Sequence, residues 1–317
     1  MSSGINWTDE TINPIVGCSK VSPACDNCYA EVMANRLQSM GVDGYDNVIN
    51  ANSWTNRLNF VESALLKPYR WKKPKRIFIG SMTDLFHDKV DNDWIWKILK
   101  MVKENPQHTF MFLTKRAKNM KEVMERYYFH AKCEVIKNLW LGVTAENQKY
   151  ANERIPYLLD TPASKRFVSI EPMLEDMNLD MLIADNSNDR FRIVYSSLHG
   201  VKTLWDTKNL IGEENITKLD WVIVGGESGS KARILNPRWV KSIQEQCSNE
   251  NVPFFFKQWG EFIEETQLTE KEQYRDLTYS LMSDGELSFF RCGRKLAGKL
   301  INGKEHQAFP IAKKEIK

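Results

Sequence analysis

The sequence predicts an α/β protein built on a partial or complete parallel (β/α) barrel that carries two polar insertions. Three observations support this fold class. Six β-rich runs alternate with helical patterns between residues 76 and 257, and such alternation gives right-handed crossovers and a parallel sheet. A seventh candidate strand, "INPIVG", begins at Ile12. Residues 184–219 and 262–290 are polar and charge-rich, as expected of insertions.

The barrel is predicted to occupy residues 1–260, with 184–219 as an internal insertion, and residues 261–317 to form a C-terminal extension that packs on it. A doubly wound open sheet is the alternative, because it also alternates strands with helices. The six predicted strands are "RIFIG" (76–80), "TFMFLT" (109–114), "LWLGVT" (139–144), "RFVSIE" (166–171), "WVIVGG" (221–226) and "VPFFFK" (252–257).

The helices between these strands follow from apolar spacing and from capping residues. The segment "DNDWIWKILKMVKENP" has an acidic start and repeats apolar side chains such as Ile95 and Leu99. The helical pattern after residue 144 is expected to be interrupted at Pro156. Asn236 is a predicted N-cap, with Pro237 in the first turn. The helix that follows "TFMFLT" has one apolar face, formed by Met120, Val123, Met124 and Tyr127.

Composition and charge favour an ordinary globular protein of the cytoplasm. The chain is 42% hydrophobic and 27% charged, and it contains no apolar run long enough to span a membrane. Its first residues, "MSSGINWTDETINP", lack an apolar signal segment. The net charge of +3 permits contact with nucleic acid without requiring it. The basic runs "WKKPKR" (71–76) and "TKRAK" (114–118) suggest such contact, although both also fit solvated surfaces.

Polar side chains follow nearly every predicted strand. In parallel β/α architectures the carboxyl ends of the strands carry the functional groups, so these segments predict a polar mouth able to bind ligands. The cysteine-containing loop follows the first candidate strand and is expected on the same side of the sheet. The strand ends are "SMTD" (81–84), "TKR" (114–116), "TAEN" (144–147), "EP" (171–172), "GGES" (225–228) and "KQWG" (257–260).

Three of the six cysteines, Cys18, Cys25 and Cys28, lie within eleven residues. A cytoplasmic chain of this length does not need a disulfide framework, so the cluster indicates metal or redox chemistry. Three thiolates can hold an iron–sulfur cube and leave one iron open. Structural zinc requires a fourth ligand, and His87 is the histidine that the fold could bring close. Buried thiols without metal are the third alternative. Elsewhere Cys247 is predicted to be core, and Cys133 and Cys292 are isolated.

An ordered series of motifs resembles a bacterial and phage family with a three-cysteine motif, whose members are described as phage proteins of unknown function. That family is itself similar to the radical S-adenosylmethionine enzymes, especially the spore photoproduct lyase branch. The spacing here is C-x6-C-x2-C, where those enzymes have C-x3-C-x2-C. The motifs are "GCSKVSPACDNCYAE", "SMTDLFH", "LTKR", "WLGVTAENQ", "RFVSIEPML", "DWVIVGGESG", "VPFFFKQWG" and "LINGKEHQAFP".

The resemblance implies a barrel of the radical S-adenosylmethionine type and an enzyme that generates a 5′-deoxyadenosyl radical. Cys18, Cys25 and Cys28 would hold a [4Fe–4S] cluster whose open iron chelates S-adenosylmethionine. The resemblance also implies a one-electron donor of the flavodoxin or ferredoxin type. The remaining cofactor-binding residues would be Ser81 or Thr83 at the methionyl amine with Asp84 beside them, Lys115 at the carboxylate, and Thr144 with Glu146 at the ribose or sulfonium.

The substrate side of the mouth is expected to contain Glu171, Glu227, Lys257 and Trp259. Structural alternatives exist, because Glu171 and Lys257 could form an internal ion pair and Trp259 could cap the barrel. The resemblance and the basic runs favour a nucleic acid or nucleotide as substrate, for modification, repair or phage defence. The competing functional hypothesis is a zinc-stabilised protein that binds nucleic acid without catalysis.

Overall fold

The computed structural model describes residues 5–184, 191–265, 279–280 and 288–310. The helices are α1 (Tyr29–Ser39), α2 (Asn92–Glu104), α3 (Ala117–Ala131), α4 (Gln148–Asp160), α5 (Pro237–Asn249) and α6 (Arg294–Ala297). Short 3-10 turns cover Pro23–Cys25, Glu62–Leu66 and Pro68–Arg70. The strands are β1 (Glu10–Ile12), β2 (Ile15–Val16), β3 (Ile49–Asn50), β4 (Ser53–Trp54), β5 (Asn59–Phe60), β6 (Arg76–Ile79), β7 (Thr109–Thr114), β8 (Leu139–Thr144), β9 (Lys165–Ile170), β10 (Leu182–Ala184), β11 (Phe191–Ser196), β12 (Val201–Asp206), β13 (Asn209–Asn215), β14 (Trp221–Gly225), β15 (Phe254–Gln258), β16 (Phe262–Glu264), β17 (Tyr279–Ser280), β18 (Phe289–Arg291), β19 (Leu300–Ile301) and β20 (Lys304–Glu305).

The main sheet has seven strands in the order β1-β6-β7-β8-β9-β14-β15. The order follows the chain without reversal. Pairing is parallel, with Ile12 opposite Ile79 and Phe78 opposite Met111. A doubly wound sheet would reverse its strand order at a switch point, so the observed order agrees with a partial parallel β/α barrel. The first and last strands of this order, β1 and β15, are not paired with each other.

The central strands and the helices form where the sequence pattern predicts them. Strands β7, β8 and β14 are almost entirely buried, because parallel strands in such a sheet are covered on both faces. Helix α2 begins after Asp91, whose carboxylate accepts a hydrogen bond from the backbone N–H of Asp93 at 2.9 Å. Helix α5 begins in the same way after Asn236, with Pro237 as its first residue.

Two local predictions are wrong. Helix α4 continues through Pro156 to Asp160 rather than stopping there. Its apolar side chains, among them Ile155 and Leu158, are fully buried. Burial of several such side chains offsets the roughly 3 kcal/mol that a proline costs inside a helix. The strand predicted at "INPIVG" is divided at Asn13 and Pro14: β1 joins the main sheet, whereas β2 pairs antiparallel with β5.

The segment predicted as an irregular insertion at 184–219 contains regular structure. Strands β10 to β13 form a four-stranded antiparallel sheet in sequential order. Strand β13 is mostly exposed, which is why its composition resembles that of a loop. In the second predicted insertion, β16, β17 and β18 form a three-stranded sheet. Residues 266–278 and 281–287 of that insertion lie outside the described part of the chain.

The chain divides into two compact units. The first contains residues 1–144 and 154–166, and the second contains residues 145–153 and 167–317. In the second unit, residues 306–308 run beside β15: Phe255 forms an antiparallel bridge with Gln307, and the indole N–H of Trp221 donates to the carbonyl of Ala308 at 2.8 Å. Among the described residues, no helix has the length and apolarity required to cross a membrane.

Candidate metal and cofactor site

The loop that carries the three cysteines is attached to the carboxyl end of β6. Gly17 bridges to Thr83: the Thr83 hydroxyl donates to the Gly17 carbonyl at 2.7 Å, and the Gly17 N–H donates to Met82 at 3.2 Å. Gly17 has a φ of +106°, and a Cβ there would lie 2.0 Å from the carbonyl oxygen of Arg57. Only glycine fits this position, so the start of the loop is fixed by close backbone packing.

The next anchor is Ser19. Its hydroxyl lies 2.8 Å from Nε2 of His87 and accepts a hydrogen bond from Nη2 of Arg116 at 2.7 Å. His87 was the histidine expected near the cysteines, and the structure brings it to the residue beside Cys18. Burial lowers the pKa of His87, and the charge of Arg116 lowers it further. The imidazole therefore stays neutral near pH 7.

Asp84 is the centre of the hydrogen-bond network at this strand end. Its Oδ1 accepts from the hydroxyl of Thr114 at 2.6 Å and from the N–H of Phe86 at 3.1 Å. Its Oδ2 accepts from the N–H of Lys115 at 3.0 Å and from Nη1 of Arg116 at 3.1 Å. These four bonds use the usual acceptor capacity of a carboxylate. Asp84, predicted as a cofactor ligand, is therefore placed as a support that joins the ends of β6 and β7.

The other predicted cofactor residues of this unit lie at the same strand ends. The Ser81 hydroxyl donates to Asn13 at 3.2 Å, and the Ser81 carbonyl accepts from the phenol of Tyr29 at 3.0 Å. Lys115 is half-buried, and its ammonium has no hydrogen-bond or ion-pair partner within the described residues. Thr144 ends β8, the strand next to β7, and is buried. Of these residues Ser81 contacts Tyr29, directly after Cys28, whereas Lys115 and Thr144 are placed by the ends of β7 and β8.

The thiols occupy different surroundings within that loop. Burial, followed by the charge of the Asp84 carboxylate, raises the pKa of the Cys18 thiol to about 12, and the charge of Arg116 opposes this rise. Cys28, directly before α1, packs against an apolar cluster that includes Ala34 and Tyr45. In the described ranges 5–184, 191–265 and 288–310, no three His, Cys, Asp or Glu side chains are grouped closely enough to hold a metal ion.

The donor set nevertheless fits a group that is held by three thiolates. None of the three cysteines forms a disulfide, each residue is partly exposed, and one loop carries them. The buried Ser22 hydroxyl has no hydrogen-bond partner among the residues that the structure describes, although buried polar atoms are normally paired. Because metal binding deprotonates thiols and organises its own ligands, binding would require Cys25 or Cys28 to approach Cys18.

The second unit contains a separate polar cluster. Nζ of Lys257 lies 2.8 Å from Oε1 of Glu171, and both side chains are largely buried. The hydroxyl of Ser169 donates to Oε2 of Glu171 at 3.0 Å. The internal ion pair that the sequence offered as an alternative is therefore present. It fixes both side chains at the carboxyl ends of β9 and β15.

Two further residues predicted at the substrate side have structural roles. Glu227 is buried and accepts two hydrogen bonds from the Arg233 guanidinium, at 3.0 Å from Nε and 2.8 Å from Nη2. Trp259 is only 2% exposed, and its indole N–H donates to the carbonyl of Leu300 at 2.8 Å. The alternative of a capping role for Trp259 agrees with this burial. Glu146 is fully buried, and its carbonyl accepts from the N–H of Leu174 at 2.9 Å.

Comparison with known proteins identifies a family for nearly the whole chain. The family model described as "Protein of unknown function (DUF5131)" matches residues 2–310. The chain belongs to this family. No curated protein and no solved structure matches the chain. The match covers both units and includes the cysteine loop and the Glu171–Lys257 pair, and their chemistry has to be argued from the residues.

Sequence reasoning missed Arg116 and Ser19, which support the cysteine loop. Arg116 is the last residue of the strand end "TKR", in which only Lys115 was predicted to bind an anion. The polar character of all three strand-end residues was the available signal. No sequence signal marked Ser19, since serine is common in loops.

The basic runs supply less free positive charge than their composition suggests. Lys75 pairs with Glu10 at 2.7 Å and Arg76 with Asp9 at 3.0 Å, whereas Lys72 and Lys73 are exposed. Run 71–76 reaches only the start of β6, at the opposite end of this strand from the cysteine loop. Contact with nucleic acid through Lys72 and Lys73 would therefore lie away from the thiols.

Proposed function

We propose that this protein is an iron–sulfur enzyme of the radical S-adenosylmethionine type, with a partial barrel of that type as its scaffold. One observation carries the proposal. The loop with Cys18, Cys25 and Cys28 is anchored at Thr83 and Arg116, and the residue before Arg116, Lys115, is half-buried with an ammonium that has no partner in the described part of the chain. A soft three-thiolate donor set attached to the strand end that carries a free cation suits a cluster next to an anionic cosubstrate.

The proposed ligands of a [4Fe–4S] cluster are Cys18, Cys25 and Cys28. When bound, such a cluster supplies the single electron that cleaves S-adenosylmethionine into methionine and a 5′-deoxyadenosyl radical. A one-electron donor of the flavodoxin or ferredoxin type would reduce it. In this proposal Lys115 binds the carboxylate of the cosubstrate, and Ser81 and Thr83 supply oxygen atoms for its amine.

The remaining residues orient these groups rather than react. Asp84 fixes the backbone N–H of Lys115 and the guanidinium of Arg116, so the lysine stem leaves the strand end in a defined direction. Effective orientation matters because a displacement of about 1 Å can cost about a hundredfold in rate. The Glu171–Lys257 pair of the second unit is the proposed contact for substrate. The proposed substrate class is nucleic acid or nucleotide.

The test begins with the metal. Protein purified without oxygen is expected to be brown, with about four irons and equal sulfide per chain, since one cubane contains four of each. Cys28→Ser should lose iron and sulfide together, and the matched control Cys133→Ser, a thiol outside the loop, should keep both. Reduction in the presence of S-adenosylmethionine should then release 5′-deoxyadenosine. Iron-containing protein that never cleaves the cosubstrate would contradict the proposal.

The zinc-stabilised binding protein is a second candidate, and the position of His87 favours it. His87 contacts Ser19 at 2.8 Å, so it could complete a Cys3His zinc site, a common closed arrangement. His87→Gln separates the two candidates. Loss of one bound zinc from this variant would support the zinc protein, whereas unchanged iron and sulfide would support the cluster.

A further inference from the structure

One side chain links the cysteine loop to two strand ends. The guanidinium of Arg116 uses Nη1 to bond Oδ2 of Asp84 at 3.1 Å, and Nη2 to bond the Ser19 hydroxyl at 2.7 Å and the Ser19 carbonyl at 3.4 Å. Only 8% of the Arg116 side chain is exposed. A buried, planar group with fixed donor directions holds its partners in a defined geometry.

The Ser19 hydroxyl is held from two sides. The N–H of Lys89 donates to Nδ1 of His87 at 3.1 Å, so the proton of the neutral ring is on Nε2. That Nε2–H donates to the Ser19 oxygen, which also accepts from Arg116. The two lone pairs of the hydroxyl are thereby used. Ser19 is thus fixed by two buried donors from different strand ends.

Cys18 lies between two fixed neighbours. Gly17 is held by the backbone of Met82 and by the Thr83 hydroxyl, and Ser19 is held by Arg116 and His87. On the far side, Lys20 forms an ion pair at 2.7 Å with Glu31 of α1. Removing the Arg116 contact would leave Ser19 with His87 as its remaining side-chain contact, so Cys18 would be held less firmly on that side.

We propose that Arg116 is the positioning residue of the cysteine loop: through Ser19 it fixes Cys18 at the ends of β6 and β7 before any metal is bound. Asp84 and His87 support it. The Arg116 contacts that carry this role are made within the protein before any metal is bound. Preorganised ligands of this kind are held by a surrounding shell of hydrogen bonds.

The test measures access to each thiol in the full chain. Protein stripped of metal under reducing, anaerobic conditions is treated with iodoacetamide, and the modification of each cysteine is followed by peptide mass spectrometry. Ser19→Ala removes the hydroxyl but leaves the Asp84–Arg116 pair intact. Cys18 should then react about tenfold faster, as expected for the loss of one hydrogen bond to a charged group. Cys247, which is 1% exposed, reports on global unfolding and should not change.

Arg116→Lys, which keeps a positive charge at this position, should give the same selective increase at Cys18, because a single ammonium cannot reproduce the planar fork. The matched control is Arg76→Lys, which alters an Arg–Asp pair of similar length at the other end of β6 and should leave Cys18 unaffected. An unchanged Cys18 rate in Ser19→Ala would overturn the proposal. So would an equal rise at Cys18 and Cys247 in that variant, since the contact would then support the fold as a whole.

Discussion

Lys257 and Glu171 form an ion pair across β14, over a residue that has no side chain. Their Nζ and Oε1 atoms are 2.8 Å apart. Gly225 lies in the strand between them, and a Cβ on it would be 2.9 Å from Oε1 of Glu171 and 3.3 Å from Cβ of Lys257. The glycine therefore leaves the space in which the two charged side chains meet.

Breaking this pair should reveal how strongly its members depend on each other. The Lys257→Met substitution removes the cation that pairs with Glu171, whose side chain is only 13% exposed. We expect it to destabilise the protein by about 2 kcal/mol. Glu171→Gln in the Lys257→Met background should recover about half of that loss, because no unpaired charge remains. Urea unfolding of the two single variants and the double variant gives the coupling energy. Strictly additive effects would mean that the pair contributes nothing as a pair.

Gly225, the last residue of β14, and Gly226 after it should differ in their tolerance of alanine. Gly225→Ala meets side-chain atoms of Glu171 and Lys257, the nearest being the end of Glu171, which can swing away, and it should cost about 1 kcal/mol. Gly226→Ala would place a Cβ 1.8 Å from the backbone oxygen of Trp259, so we expect a loss of about 3 kcal/mol. Both losses are measured as shifts of the urea unfolding midpoint at an unchanged slope of free energy against urea concentration. Similar losses would show that the backbone at Trp259 moves away from Gly226 more easily than the close packing indicates.

Removing the charge of Asp84 should be far more costly than removing that of Asp9. Asp84→Asn leaves the buried Arg116 without its anion and places an amide among N–H donors, so we expect about 3 kcal/mol of destabilisation. Asp9→Asn removes a similar contact whose side chains are 35% and 39% exposed, and it should cost less than about 1 kcal/mol. Thermal and urea unfolding of the two variants test this difference. Equal losses would contradict the central role of Asp84.

Alkaline pH should destabilise the protein through Cys247. Burial raises the pKa of this thiol to about 12, whereas in the unfolded chain it titrates near its ordinary value. Its contribution is therefore complete below the unfolded pKa and is lost as pH rises from about 9 to about 12, at roughly 1.4 kcal/mol per unit. Cys247→Ala should remove this part of the slope when urea unfolding is measured at pH 8 and 10.5. An identical slope in the variant would exclude Cys247 as its source.

Lys115→Ala tests the proposed anion contact. Because the lysine ammonium has no partner among the described residues, the substitution should leave the folded structure and the metal content unchanged. Binding of S-adenosylmethionine, measured by anaerobic calorimetry, should weaken by about tenfold or more, as for the loss of one charged hydrogen bond. Lys118→Ala, which changes an exposed lysine in the first turn of α3, is the control. Loss of metal with Lys115→Ala would show instead that the lysine supports the loop.

The sequence predicted the main strands because burial on both faces gives each of them an unmistakable run of apolar residues. "TFMFLT" and "LWLGVT" match β7 and β8 residue for residue. The sheet of residues 182–215 was missed because its outer strand is exposed and "NLIGEEN" carries no core pattern. The interruption predicted at Pro156 is wrong for the opposite reason. Burial of α4 outweighs the strong local preference of proline against helix interiors.

The candidate site was predicted in its parts but not in its connections. Strand-end reasoning selected Thr83, which bonds Gly17 at the start of the cysteine loop, and Asp84 and Lys115, which bond each other at the ends of β6 and β7. It could not assign their partners, because a carboxylate that binds a ligand and one that supports an arginine look the same in sequence. Only the geometry separates Asp84, whose four hydrogen bonds are internal, from Lys115, whose ammonium has no partner in the described part of the chain.

The pairing of residues 306–308 with β15 has a consequence for biosynthesis. Phe256 donates to His306, and Ala308 donates to Phe254, so this late segment satisfies the outer hydrogen-bonding groups of the last parallel strand. During translation β15 emerges about fifty residues before the segment that covers it, and its aromatic edge stays open to neighbouring nascent chains meanwhile. We expect ribosome-associated chaperones to protect the open edge of β15 in that interval.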